Sequence, residues 1–310
     1  LLSFALVLPL ASAACGSDDS SEGEEPSGEH YGYVVATVDS RASNKLDIDG
    51  NGSSENKIGD LIALLAIGGF QVQSTIDEAV ATGATLLLVD VQTTSFSGAG
   101  SAGVAFYLGD SATAMPAPCT DTTMISTCGK HLAGTGTFTI AASSPRDTQL
   151  TGPLTGGTLK AGPGKIAIQI ALTGAPIVVN LMGARTQVSS ITADGIGKGI
   201  VGGAISLTEL NNNVLPAIEG QLDAVVLSDC GAPAGRTGAT CSCVAGSTGL
   251  TVLRGASPFD YSPADCEVSL DEIKTHQLVA PSLKSDVTID GMPGISVGLG
   301  FTAKKATFTR

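Results

Sequence analysis

The stretch from Gly164 to Gly203, GKIAIQIALTGAPIVVNLMGARTQVSSITADGIGKGIVGG, decides the fold. Ile166, Ile168 and Ile170 alternate with Lys165, Ala167 and Gln169, and a period of two puts the isoleucines on one face of an extended chain. Ile177 to Met182, Val188 to Thr192 and Gly199 to Ile205 also read as strands. Gly162-Pro163-Gly164 and Asp194-Gly195 read as turns between them.

Outward from that stretch the strand reading continues through Thr137 to Ala141, Val104 to Leu108 and a buried run from Thr85 to Thr94. Tyr31 to Val38 reads as a first strand or as the seam with a preceding tether. Gly294 to Thr309, with Ile295, Val297, Leu299 and Phe301 alternating, reads as a closing strand. Ile58 to Ile67 is apolar at helical spacing and stops at Gly68-Gly69; a second helix is expected from Gln71 to Ala81, with Ser74 and Asp77 as a capping box and Gly83 as its stop. Two more capping boxes, Ser206 with Glu209 and Ser269 with Glu272, predict helices that stop near Pro216 and Pro281. The expected class is mainly β with packed helices (α+β), an antiparallel β-sandwich or a large twisted sheet with helices at one face or end. It occupies a single β-rich domain over 31–310, with a Cys-rich loop segment at 228–266.

The 310 residues carry 40 glycines and a net charge of -13, with a pI near 4.5. Such a surface opposes phosphate backbones, so nucleic acid is not an expected partner. Aromatics are 4% and tryptophan is absent, which argues against a sugar-stacking platform.

An apolar run, Leu1 to Leu10, precedes Ala11-Ser12-Ala13-Ala14, Cys15 and the acidic, serine-rich stretch Gly16 to Glu29. This order predicts a lipoprotein signal peptide over 1–14, lipidation at Cys15 and a disordered acidic tether over 15–30. Ser12 stands where such signals usually carry a leucine, and Ala11-Ser12-Ala13 also reads as an ordinary cleavage site. Cysteine parity favours lipidation: with seven cysteines, acylating Cys15 leaves six to pair. The expected address is therefore exported, an outer-membrane or cell-surface lipoprotein held to the membrane through its N-terminal lipid.

Cys119 and Cys128 should close one disulfide loop. Cys230, Cys241, Cys243 and Cys266 should form two more in an oxidising compartment, with the pairing open; a four-thiolate zinc site is the weaker alternative.

The loop from Asp47 to Asn56, DIDGNGSSEN, offers oxygen at alternate positions. Asp47, Asp49, Asn51, Ser53 and Glu55 are the expected ligands of a structural calcium ion, with Gly52 permitting the sharp turn of an EF-hand-like loop. Ile58 stands where a bidentate glutamate belongs, so the shell needs Asn56, Asp60, Asp286 or Asp290 to complete it. An Asx-rich turn held by its own side chains is the plainer alternative. Tyr261 to Glu272 echoes the same loop but lacks its first acidic ligands, and reads as a helix cap.

No catalytic residue is assigned. Gly294-Ile295-Ser296-Val297-Gly298 matches a nucleophile elbow without the following helix and histidine, and Gly98, Gly100 and Gly103 match a dinucleotide fingerprint that runs on as strand. His30, His131 and His276 are scattered and read as exposed or capping residues.

Taken together, the lipobox and acidic tether, DIDGNGSSENKIG leading into a helix, Ile76 to Val91, Gly202 to Ser206 with Asn211 to Pro216, and Asp290-Gly291 through Ala303 resemble a group of predicted myxobacterial (deltaproteobacterial) secreted lipoproteins. The group has no assigned activity, so the resemblance implies compartment and architecture alone. The expected function is a lipid-anchored extracytoplasmic surface protein of binding or structural role; its protein or small-molecule partner is unknown. The alternatives are a secreted hydrolase using carboxylates, which needs a deep acidic pocket, and a lipid- or apolar-ligand-handling β domain, which needs a long apolar cavity.

Overall fold

The computed structural model describes residues 25–67, 72–120, 124, 128–170, 177–231, 241–261 and 265–310. The expected signal peptide, Cys15, the tether up to Glu24 and the Gly68-Gly69 stop lie outside the described residues.

The strands are β1 (Glu29–Asp39), β2 (Leu87–Thr93), β3 (Gly100–Met115), β4 (Gly136–Ile140), β5 (Gln149–Thr155), β6 (Thr158–Ile170), β7 (Ile177–Thr192), β8 (Gly195–Ser206), β9 (Val287–Ile289) and β10 (Met292–Thr309). Their ladders run antiparallel from β1 to β2, β3, β5, β6, β7, β8 and β10, and β10 pairs back onto β1. The large twisted sheet is thus a closed ring of eight strands, and a closed ring has no free edge. β4 stands outside it, antiparallel to β3 and parallel to β10, while β9 forms a hairpin with the start of β10.

Alternation sorts the side chains. Tyr33, Val89, Val104, Phe106, Leu159, Val188, Ile196 and Phe301 fill the interior, with the rings of Phe106 and Phe301 edge-on at 6.0 Å. The Phe301 ring lies over Gly199, its partner on β8, where a Cβ would overlap it. Val34, Leu88, Ala105 and Tyr107 point outward under Phe138 and Ile140 of β4, so β2 is buried on both faces. That explains the unbroken apolar run Leu86 to Val89. Asp90 is buried on the same outer side and holds His30 Nδ1 at 2.8 Å and the guanidinium of Arg310.

The register places tight hairpins at one end of the ring, around Gly156-Gly157 and Ala193-Asp194. Among the described residues the α-helices sit at the other, while a 3-10 turn (Lys130–Leu132) lies against β4. α1 (Lys57–Ile67) and α2 (Val72–Ala81) connect β1 to β2; α3 (Leu207–Glu209), a π-helical turn (Leu210–Val214), α4 (Leu215–Cys230), α5 (Thr248–Arg254) and α6 (Leu270–Thr275) connect β8 to β9.

Several sequence expectations are corrected. Gly162-Pro163-Gly164 lies at register shifts inside β6, and Met182 to Arg185 is a bulge inside a single β7, with Gly183 at φ +57°. Pro216 sits in the first turn of α4, where its missing N–H costs no helical bond, so the helix starts there and runs on to Cys230. Ser74 is the third residue of α2 rather than its cap. Ser206 caps Glu209 N at 3.0 Å, but Glu209 turns to Asn180 and Asn213; Ser269 and Glu272 form the full box. Glu29 and His30, assigned to the tether, begin β1.

Candidate functional site

Phe106, Phe301 and Tyr33 fill the middle of the ring, and the hydroxyl of Tyr33 donates to the Thr192 carbonyl at 2.8 Å near the hairpin end. Burial holds that phenol far above the ordinary tyrosine range, so it remains a neutral donor. Towards the helical end the filling stops. Leu87, Ile168, Ile205 and Val297 of the strands face Leu61 and Leu65 of α1, Ile76 of α2 and Val214, Ile218 and Leu222 of the α3–α4 segment across a cavity of about 780 Å³. That size is within the range of small-molecule sites.

The sequence builds this hollow from two apolar helical edges. α1, KIGDLIALLAI, has one acid and a half-buried row at Ile58, Leu61 and Leu65. Val214, Ile218, Leu222 and Val225 recur at helical spacing on the opposite wall. Carboxylates of α4 hold the rest of the cap: Glu219 accepts from Leu270 N at 3.0 Å, Asp223 from Val268 N at 2.9 Å and Asp229 from Gly249 N at 2.8 Å. Disulfides Cys230–Cys243 and Cys241–Cys266 tie α4 to the segments around α5 and α6. Cys119–Cys128 closes the third loop. Asp260 lies near Cys241 and Cys266, but those sulfurs are bonded to each other, which removes the thiolates that zinc requires. Three disulfides are what an oxidising, extracytoplasmic compartment produces. Among the described residues no helix is long and apolar enough to cross a membrane.

The acidic loop lies outside the ring, ahead of α1. Leu46 bridges Glu55, and the oxygens of Asp47, Asp49 and Glu55 come within 4.8 Å of one another. Asp47 Oδ2 accepts from Gly52 N at 3.1 Å, whereas Asp47 Oδ1 is buried without a hydrogen-bond partner. Burial pushes the Glu55 carboxyl up, and the charges of Asp49, Asp47 and Asp286 add to it, against the Ile48 amide. Asn51 Oδ1 accepts from Ser53 N at 2.7 Å and Asp49 Oδ1 from Asn51 N at 3.2 Å, so the Asx turns exist beside the carboxylate cluster.

Asn56 does not complete a metal shell. It is 1% exposed; its Oδ1 accepts from Gly59 N and Gly298 N, both at 2.9 Å, and its Nδ2 donates to Asn44 O at 2.9 Å and Gly298 O at 2.8 Å. Asp60 is exposed on α1. Asp286 is engaged by Ser296, through N at 2.9 Å and Oγ at 2.5 Å, and Asp290 forms the β9–β10 turn at φ +50°. Ser296 is thus a fully buried strand residue.

Two histidines differ from the sequence reading. His131 is fully buried, and its ring nitrogens make no hydrogen bond of good geometry; burial pushes its imidazole down, with the nearby Val80 carbonyl opposing. His276 is buried and stacked on Phe259 at 4.1 Å, and its Nδ1 accepts from Leu278 N, so its other nitrogen donates towards Ser257. Glu272 accepts from Tyr261 N at 2.8 Å and serves the α6 cap, as the sequence implies.

Comparison with known protein families, curated proteins and solved structures finds nothing that matches this chain. Function therefore rests on the site itself.

Proposed function

We propose that the protein is an exported binding protein that holds an apolar small molecule in the mouth of its barrel. The observation that carries this reading is the apolar cavity of about 780 Å³ between the ring and its helical cap. Protein interiors otherwise close up to crystal-like density, so room of this size among aliphatic side chains favours a ligand. The hydrolase alternative is less favoured, because among the described lining residues Asp229 is the single carboxylate and it is engaged with Gly249 N. A lipid anchor at Cys15 suits the same role, holding the carrier beside a source of apolar molecules.

Gly220 of α4 lines the mouth, and a Cβ there would meet nothing within 4 Å. Gly220→Phe is expected to weaken binding of a long-chain apolar probe by about tenfold or more. The melting temperature should hold or rise, since glycine inside a helix costs about 1 kcal/mol. Wild-type protein that binds no apolar probe in equilibrium dialysis would refute the reading.

A structural calcium ion at Asp47, Asp49 and Glu55 is a second element of the proposal, favoured by the buried, unpartnered Asp47 Oδ1. Hard carboxylate oxygens suit that ion. Calcium at about one hundred times its Kd should stabilise the protein by about 2.7 kcal/mol. Asp47→Asn should abolish most of that gain, and calorimetry that detects no calcium-dependent shift in the wild type would leave only the Asx turns.

A further inference from the structure

The described wall of the cavity is nearly free of charge. Among the described residues that line it there is no lysine, arginine or histidine. The charge present is the carboxylate of Asp229, near the N-terminus of α5. Polar groups are neutral: Thr75, Thr85, Gln169, Gln221, Ser228 and Thr248.

Shape chemistry adds a second restriction. Leucine, isoleucine and valine make up most of the wall, and Phe259 is its one described aromatic ring. That ring already stacks face to face on His276, with 11° between the planes. The site therefore offers a flexible hydrocarbon a surface to fill and offers a planar aromatic ligand little to stack on.

An anion entering the cavity would lose its hydration, meet no counter-charge among the described lining residues and face Asp229, inside a protein whose net charge is -13. We propose that the cavity takes an uncharged aliphatic molecule, a single hydrocarbon chain bearing a neutral hydrogen-bonding head, and rejects the same chain when its head is an anionic carboxylate or phosphate. This inference rests on the reading of the cavity as a ligand site.

Monooleoylglycerol and oleate share one chain and differ in head charge. Isothermal titration of the full chain with each, at about pH 8.5 where the carboxylate is ionised, should give a Kd about tenfold or more lower for the glycerol ester. Ser228→Arg puts a cation at the mouth and should strengthen oleate binding, narrowing that ratio. Oleate binding the wild type as tightly as the ester overturns the charge selectivity while leaving the ligand reading intact. An unchanged ratio in Ser228→Arg also overturns it, because the head would then lie away from this mouth. If neither compound binds, both readings fall.

Discussion

Asn56→Leu is expected to lower the unfolding free energy by about 4 kcal/mol or more, since four buried backbone groups each lose a partner at about 1 to 3 kcal/mol. Leucine fills similar space, so the loss isolates hydrogen bonding from packing. It would strand the amide and carbonyl of Gly298, the amide of Gly59 and the carbonyl of Asn44. Gly298 belongs to β10 and Gly59 to the first turn of α1, so one side chain fastens the cavity's helical wall to the ring. Urea denaturation reads the stability, and ligand titration should show weaker binding in the variant under folded conditions. A loss below about 1 kcal/mol would mean that water replaces the amide and that α1 is held by its apolar face alone.

Removal of the two cap disulfides should cost nearly as much. Cys230–Cys243 and Cys241–Cys266 have sequence separations of 13 and 25 residues. Loops of these lengths are each worth about 3 kcal/mol by the chain-entropy model. The loops overlap, because Cys241 lies between Cys230 and Cys243, so their contributions should not sum fully. In Cys230→Ser/Cys243→Ser/Cys241→Ser/Cys266→Ser protein the cap segments around α5 and α6 are expected to exchange amide hydrogens freely and apolar ligand binding to be lost. The ring's amides should stay protected. Uniform loss of protection across ring and cap would show instead that they unfold as one cooperative unit.

Much of the architecture was legible because it is written locally. Alternation at Ile166 and Ile168 and at Ile295 to Phe301 marks the inward faces, and the spacing from Ile58 to Leu65 marks α1. Local likeness also misled: Gly162-Pro163-Gly164 has the composition of a turn, yet the same residue types serve a bulge that lets β6 continue. Proline is unfavourable inside a helix and so predicts a stop at Pro216, but it sits in the first turn, and the periodicity of Val214, Ile218, Leu222 and Val225 carries the correct signal. The carboxylate cluster was legible, its members lying within nine residues. Asn56 looked like one of that cluster; its partner Gly298 is 242 positions away, and no local pattern announces such a bond. Ring closure was equally hidden, because it depends on β1 meeting β10, and so was the cavity, whose two walls come from separate helical insertions.

The pairing of β1 with β10 also sets an order on biogenesis. Until Met292 to Thr309 have been synthesised, β1 and β8 each lack a neighbour, and a partly made chain presents two raw strand borders instead of a finished cylinder. Such a chain cannot complete its main structure piecemeal on the ribosome. β10 acts as the clasp, because it alone supplies the missing neighbour of both β1 and β8.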